Sequence, residues 1–210
     1  MIQFGEVAAV LTSAPLPGDE AHREMRAVPV GNVKFNVAHG QPPLEGGVLI
    51  LLYEDDGRIR FPLIKRPMYQ GVHSGQISLP GGKAEQNEKL SATALREGEE
   101  EIGIIRGDVQ LLKVLTSFHV IPSNIVITPF VSMTEKLPLF APNPQEVERI
   151  LFGDLNDLLK PGAVKETEIR VGDGFRLMAR YFEVEGEMVW GATAMILNEL
   201  RMMILAGRSK

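Results

Sequence analysis

The chain has 210 residues, enough for one sizeable core, and its 44% hydrophobic and 23% charged composition is that of a folded globular protein, not a disordered one. Twenty-two basic against 27 acidic residues leave a net charge of -5, which argues against a broad surface for nucleic-acid backbone or anionic membrane. There is no cysteine, which excludes disulfides, thiolate catalysis and cysteine-held metal centres, and no apolar run approaches the roughly 20 residues of a membrane span.

In chain order, residues 3–12 read as a short amphipathic helix, stopped by the turn signal Pro15 to Gly18. Residues 19–45 are mixed and punctuated by proline, so irregular structure is expected there. Two β-rich runs, Val48 to Tyr53 and Arg58 to Lys65, flank Asp55-Asp56-Gly57 and predict a hairpin. A short strand then enters the glycine turn of "GQISLPGG", and a helix follows from about Lys89 to Ile102. "VQLLKVLTSFHV" and "NIVITPFVSMT" predict two strands, "NPQEVERILFGDLNDLL" a short strand and a short helix, and "IRVGDGFRLMARYFEVEGEMVWG" further hairpins. The last element, about Thr193 to Ala206, is a helix. One domain of mixed or mostly antiparallel sheet flanked by two main helices accounts for all of this.

The helix before Gly103 carries an unusual charge. Glu97, Glu99, Glu100 and Glu101 crowd into five positions, with Gly98 among them. Positions 97, 100 and 101 share a face, where like charges each cost about 0.2–0.5 kcal/mol, and Arg96 lies four before Glu100, close enough to brace it. A run of glutamates is ordinarily a solvated face. Here its oxygen-only donor set points to a hard divalent ion, Mg²⁺ or Mn²⁺. Ala94, Gly98 and Ile102 are spaced by four on the other side and face the core, where a missing side chain admits a close neighbour. Upstream, Pro80-Gly81-Gly82 forms a turn with bare backbone, and downstream Gly103 sits where a left-handed cap belongs.

Gly82, Glu88, Arg96, Glu97, Glu100, Glu101, Gly103 and Ile104 together resemble the Nudix box, G-x5-E-x7-R-E-U-x-E-E-x-G-U, with only Gly98 departing, at the first aliphatic position. The resemblance implies an α/β protein, the Nudix α/β/α sandwich with a mixed β-sheet between helices. It also implies Mg²⁺-dependent or Mn²⁺-dependent hydrolysis of a diphosphate linkage in a nucleoside diphosphate derivative. Carried over by position, Glu97, Glu100 and Glu101 are the implied metal ligands, Arg96 orients them and Glu88 braces the loop. The base that takes the water's proton is Glu101, or Glu146 or Glu148 from "NPQEVERI", a segment able to form a loop over the metal.

The segment "LIKRPMYQGVHSGQISLPGG" resembles the coenzyme A diphosphatase branch, matching at Leu63, Gly75, Pro80, Gly81 and Gly82 and in His73-Ser74-Gly75-Gln76. It departs at Ile64, Arg66, Pro67, Gly71 and Leu79. "PLPGDEAHREM" and "VWGATAMILNEL" are similar to segments of the same branch, so the resemblance runs from Pro15 to about Leu200. The implied reaction splits coenzyme A or a derivative into 3′,5′-ADP and 4′-phosphopantetheine. Lys65, Arg66 and His73 are the candidates for phosphate recognition, with arginine suited to bidentate contacts and with Gly81 and Gly82 offering backbone to the substrate. Tyr69 is available to stack on adenine, His119 reads as a core or rim histidine, and Trp190 reads as core.

The expected arrangement is a single domain over residues 1–210, with an N-terminal extension to about 45 and the Nudix core over 46–210. The expected partner is a small molecule, with no nucleic acid and no membrane, and the chain is open to forming a homodimer. The lack of a basic leader and the ending "GRSK", which lacks a peroxisomal S-K-L, lead us to expect a cytoplasmic location. The competing readings are a Nudix hydrolase for ADP-ribose, NADH, a dinucleotide or a nucleoside triphosphate, and a non-catalytic Nudix binding module.

Overall fold

The computed structural model describes residues 3–31, 39–70, 73–172 and 174–208, so the departure at Gly71 lies outside the described residues. Helix α1 (Phe4–Ser13) starts as expected, with Gln3 and Glu6 capping each other's backbone. Residues 19–45 are not all irregular: α2 (Asp19–Met25) and β1 (Val28–Pro29) form within them. The helix escapes sequence periodicity because it is only two turns long. Its Ala21, His22 and Met25 are nonetheless buried.

The hairpin β2 (Leu44–Asp55) and β3 (Arg58–Lys65) closes on Asp56 and Gly57, both at positive φ, the conformation a two-residue turn requires. Next come β4 (Ile77–Ser78), β5 (Gly81–Lys83) and α3 (Leu90–Ile102). The single strand expected over "VQLLKVLTSFHV" is two, β6 (Gln110–Val114) and β7 (Phe118–Val120), both paired with β8 (Ile125–Thr134). The break falls at Thr116, whose N–H and hydroxyl turn away to donate to Glu199. Strand β9 (Arg149–Asp154), α4 (Leu155–Leu159), β10 (Lys165–Val171), β11 (Phe175–Val184), β12 (Glu187–Trp190) and α5 (Gly191–Arg208) complete the chain.

The main sheet is mixed. Strands β2 and β8 run parallel from Leu44↔Ile125 to Tyr53↔Thr134, and the other pairings are antiparallel. Alternation along β2 divides its apolar run between two layers. Leu49 and Leu51 pack with Ala94, Ile102 and Ile104 on the α3 side, whereas Ile50 and Leu52 pack with Leu197, Leu200 and Ile204 of α5 on the other. The helix–sheet–helix layering expected from the sequence is therefore present. The C-terminal hairpins do not extend this sheet: β9 already covers the edge of β3, from Arg60↔Asp154 to Lys65↔Arg149. Strands β10, β11 and β12 form instead a second antiparallel sheet that includes β1. Among the described residues no helix is long and apolar enough to cross a membrane.

Helix α5 is anchored by a buried carboxylate. Glu199, with no exposed surface, accepts from the N–H of Gly18 (3.2 Å) and from the N–H (3.1 Å) and hydroxyl (2.6 Å) of Thr116, and pairs with His22 Nε2 (3.2 Å). The N-terminal segment thus holds in place the helix whose first turn walls the cavity described next.

Candidate active site

Helix α3 turns one face to the sheet. An added Cβ at Gly98 would lie 2.9 Å from Ile104 Cδ1 and 3.0 Å from Leu49 Cδ2, so these two side chains fill the space that an aliphatic residue at 98 would take. Gly98→Leu is expected to destabilise the protein by about 1–3 kcal/mol through overpacking, read as a lowered denaturation midpoint. Gly98→Ala should stay within about 1 kcal/mol of wild type, because the gain in helix propensity offsets the crowding. Gly103 ends the helix at φ 73°, its N–H donating to the Glu99 carbonyl at 3.0 Å.

The opposite face presents acids to the glycine turn. Glu101 is only 1% exposed, and its Oε2 accepts the Gly81 N–H at 2.8 Å. Burial pushes its carboxyl up to about 8, although the Gly81 N–H and Arg66, 3.9 Å away, pull it down. Glu97 is also raised, by burial first, against the Arg96 hydrogen bond. A Cβ on Gly82 would lie 2.4 Å from the Glu97 carboxylate, so this position admits no side chain with Glu97 in place. Glu146 arrives on the loop between β8 and β9. That loop is pinned by the Asn143 N–H on the Glu101 carbonyl (3.0 Å) and by Asn143 Nδ2 on Glu146 Oε1 (3.3 Å).

One carboxylate oxygen each from Glu97, Glu101 and Glu146 lie within 4.8 Å of one another. Three acids so close, one nearly fully buried, form an oxygen-only donor set that fits a hard divalent cation. Glu100 is placed differently: its Oε2 receives Arg96 Nη1 at 2.9 Å at the exposed side of the helix. Glu148, the other candidate on this segment, pairs with Lys65, 3.3 Å off.

Arg96 is the brace of the acidic face. Its guanidinium donates to five acceptor atoms: Oε1 (2.9 Å) and Oε2 (3.1 Å) of Glu88, Glu97 Oε1 (2.9 Å), Glu100 Oε2 (2.9 Å) and the Lys83 carbonyl (3.1 Å). Glu88 in turn takes the Glu85 N–H and the Thr93 hydroxyl. The Arg96 hydrogen bond, and next the Glu85 N–H, hold the Glu88 carboxyl down to about 2.

A cavity of about 620 Å³ opens beside the carboxylates. Arg66, Tyr69 and His73 line it, as do Gly81 and Gly82. Arg66 Nε donates to the Ser78 hydroxyl at 3.3 Å, and His73 Nδ1 is 2.9 Å from Gln76 Oε1. Lys65, a candidate phosphate contact from sequence, instead forms ion pairs with Glu148 and with Glu187 (3.1 Å), so its charge is spent on the protein. Trp190 is not core but a half-buried part of the cavity wall, and His119 is exposed, 3.0 Å from Asn124 Oδ1. Sequence reasoning also missed Ser78 and Thr193 as lining residues. "VWGATAMILNEL", matched only as a segment, was the available signal for Trp190 and Thr193.

The raised Glu101 carboxyl has a thermodynamic consequence. Its folded-state value lies above its usual 4.5, so the folded protein holds this proton longer than the unfolded chain. Without divalent cation, this contribution to stability is full below about pH 4.5 and declines as pH rises towards about 8. Thermal melting should show Mg²⁺ or Mn²⁺ raising Tm by an increment that grows from pH 6 to pH 9, as cation replaces proton.

A model of the NUDIX domain matches residues 43–171, more than half of the chain. The chain belongs to the Nudix hydrolase family. This Nudix chain is 38% identical over 165 residues to Nudix hydrolase 15, mitochondrial, of Arabidopsis thaliana, a match covering 74% of the chain and 56% of that longer relative. It is 31% identical over 144 residues to the uncharacterized Nudix hydrolase NudL of Photorhabdus laumondii, covering 68% of the chain and 75% of the relative. Among solved structures, a MutT/nudix family protein from Enterococcus faecalis superposes with a TM-score of 0.55 at 15% identity, covering 81% of this chain and 65% of that one, a likeness of fold alone.

Proposed function

We propose that the chain hydrolyses the diphosphate linkage of coenzyme A or its derivatives, with a divalent cation, Mg²⁺ or Mn²⁺, yielding 3′,5′-ADP and 4′-phosphopantetheine or its acylated form. The observation that carries this reading is the cluster of Glu97, Glu101 and Glu146 lining a cavity that Arg66 and His73 also line. Its substrate side rests on the branch pattern around His73-Ser74-Gly75-Gln76 and Pro80-Gly81-Gly82.

Glu97, Glu101 and Glu146 would hold the cation, with Glu100, expected from the sequence as a further ligand, joined to the set through Arg96. When bound, a divalent cation supplies positive charge against the diphosphate oxygens and makes a nearby water more acidic. Arg66 donates to diphosphate oxygens, a role its planar fork suits. Gly81 and Gly82, without side chains, let the substrate approach the backbone. Water forms a new P–O bond to one phosphorus as the bridging P–O bond breaks. Glu146, on the solvent side of the cluster, takes the water's proton, and the second phosphate leaves with the bridging oxygen. Burial of Glu101 and the Gly81 N–H on its Oε2 keep the geometry of this carboxylate fixed.

The test is incubation with Mg²⁺ and, separately, coenzyme A, an acyl-coenzyme A, ADP-ribose, NADH and dGTP, with products identified by mass. The expected result is 3′,5′-ADP with 4′-phosphopantetheine from coenzyme A. If coenzyme A stays intact while another member of the panel is cleaved, the substrate assignment is wrong. If none is cleaved, the coenzyme A assignment fails as well.

A further inference from the structure

The cavity has two kinds of wall. Arg66 and the three clustered carboxylates make up the charged part of its lining, and Val48, Val120, Ile125, Ile127, Ala192 and Ile196 the aliphatic part. Strand geometry builds the aliphatic floor: Val120 lies opposite Ile125, and Ile127, two residues on, points to the same side. Ala192 and Ile196, four apart on α5, supply the facing wall.

This wall begins beside the carboxylates. A Cβ at Gly46 would lie 2.8 Å from Ile125 Cδ1 and 2.5 Å from the Gly82 carbonyl, and a Cβ at Gly82 would lie 2.4 Å from the Glu97 carboxylate. Two bare glycines therefore bridge Ile125 to Glu97. A group resting on the aliphatic wall is only a few bonds from a diphosphate held at the acids. Polar atoms within the wall are already engaged: the Thr193 hydroxyl donates to the Ile77 carbonyl (3.1 Å) and the Ser123 hydroxyl to the Val120 carbonyl (3.5 Å). With these protons taken up, a sugar resting on the aliphatic side chains would give up water for few hydrogen-bond partners, a cost that an aliphatic group does not meet.

Resting on the coenzyme A reading above, we propose that this wall is the subsite for a branched aliphatic group one methylene from the phosphate ester oxygen. The dimethyl-bearing carbon of the pantoyl unit is such a group. The wall then sets specificity against diphosphates that carry a sugar in that place, and it leaves the nucleotide half of the substrate to the polar mouth at Tyr69 and His73.

Binding of 4′-phosphopantetheine and of ribose 5-phosphate, each in the presence of Mg²⁺, tests this by calorimetry and by competition against hydrolysis. Two methyl groups leaving water at about 0.8 kcal/mol each correspond to roughly tenfold, so 4′-phosphopantetheine should bind at least about tenfold more tightly than ribose 5-phosphate. In Ile125→Ser and Ala192→Ser, which alter opposite walls, the ratio should shrink to within about threefold. Thermal melting identifies which variants are folded, and if neither folds the wild-type ratio decides. Equal binding by the wild type, or an unchanged ratio in a folded variant, overturns the subsite. Cleavage of coenzyme A with equal binding sinks the subsite alone, whereas tight 4′-phosphopantetheine binding with coenzyme A left intact sinks the substrate reading alone.

Discussion

Replacing Glu101 by glutamine is expected to lower kcat for diphosphate hydrolysis by more than about 100-fold, beyond the loss typical of residues that merely support a metal ligand. The fold should survive. Glutamine retains an oxygen for the Gly81 N–H, and it resembles the protonated acid that burial already favours near neutral pH. Without added cation, the Glu101→Gln variant should therefore melt at or above the wild-type temperature at pH 8, and the Mg²⁺-dependent rise in Tm should be much reduced. Loss of activity with a preserved melt separates a site role from a structural one. A variant with full activity would show that Glu101 neither holds the cation nor takes part in the chemistry.

Arg96→Ala should be strongly destabilising, because the guanidinium braces Glu88, Glu97 and Glu100 together. The side chains of Arg96, Glu88 and Glu97 are 14%, 15% and 14% exposed, so deleting the guanidinium leaves two mostly buried carboxylates without their main partner. Breaking a fully buried pair from one side typically costs about 3–5 kcal/mol; with this residual exposure, and with Glu88 keeping the Glu85 N–H and the Thr93 hydroxyl, a loss of about 2–3 kcal/mol is expected in denaturant unfolding. Arg96→Lys keeps the charge but cannot span five acceptors, and should recover only part of the loss. The same pair gives the protein an acid limit. With the Glu88 carboxyl depressed to about 2, its contribution is full above about pH 4.5 and is lost as pH falls towards 2. Glu88→Gln should flatten the stability profile over that window.

The parts of this molecule legible in its sequence are those written in short-range patterns. The Asp56-Gly57 turn, the α3 boundaries, the core-facing side of Gly98 and the left-handed cap at Gly103 each follow from local chemistry, and the structure bears them out. The gathering of Glu97 with Glu146 could be named as a loop closing over the helix, yet its geometry depends on Asn143 tethering that loop to the carbonyl of Glu101. What escaped was decided by contacts distant in the chain. Lys65 looks like a phosphate contact until Glu148 and Glu187 occupy it. Trp190 looks like core until the start of α5 turns it to the cavity. Helix α2 is too short to announce itself, and its position depends on the His22–Glu199 pair, 177 residues apart in sequence.

The placement of Glu100 is the sharpest point at which local pattern and three-dimensional arrangement part. Helical spacing groups it with Glu97 and Glu101; in the structure its Oε2 receives Arg96 Nη1 at 2.9 Å, while Glu97, Glu101 and Glu146 each bring a carboxylate oxygen within 4.8 Å of the others. Anomalous scattering from crystals grown with Mn²⁺ tests the proposed cation site directly. The predicted result is a peak bonded to carboxylate oxygens of Glu97, Glu101 and Glu146 at about 2.0–2.3 Å, as expected of a small hard divalent ion. A Mn²⁺ peak elsewhere on the protein, with this cluster empty at saturating Mn²⁺, would contradict it.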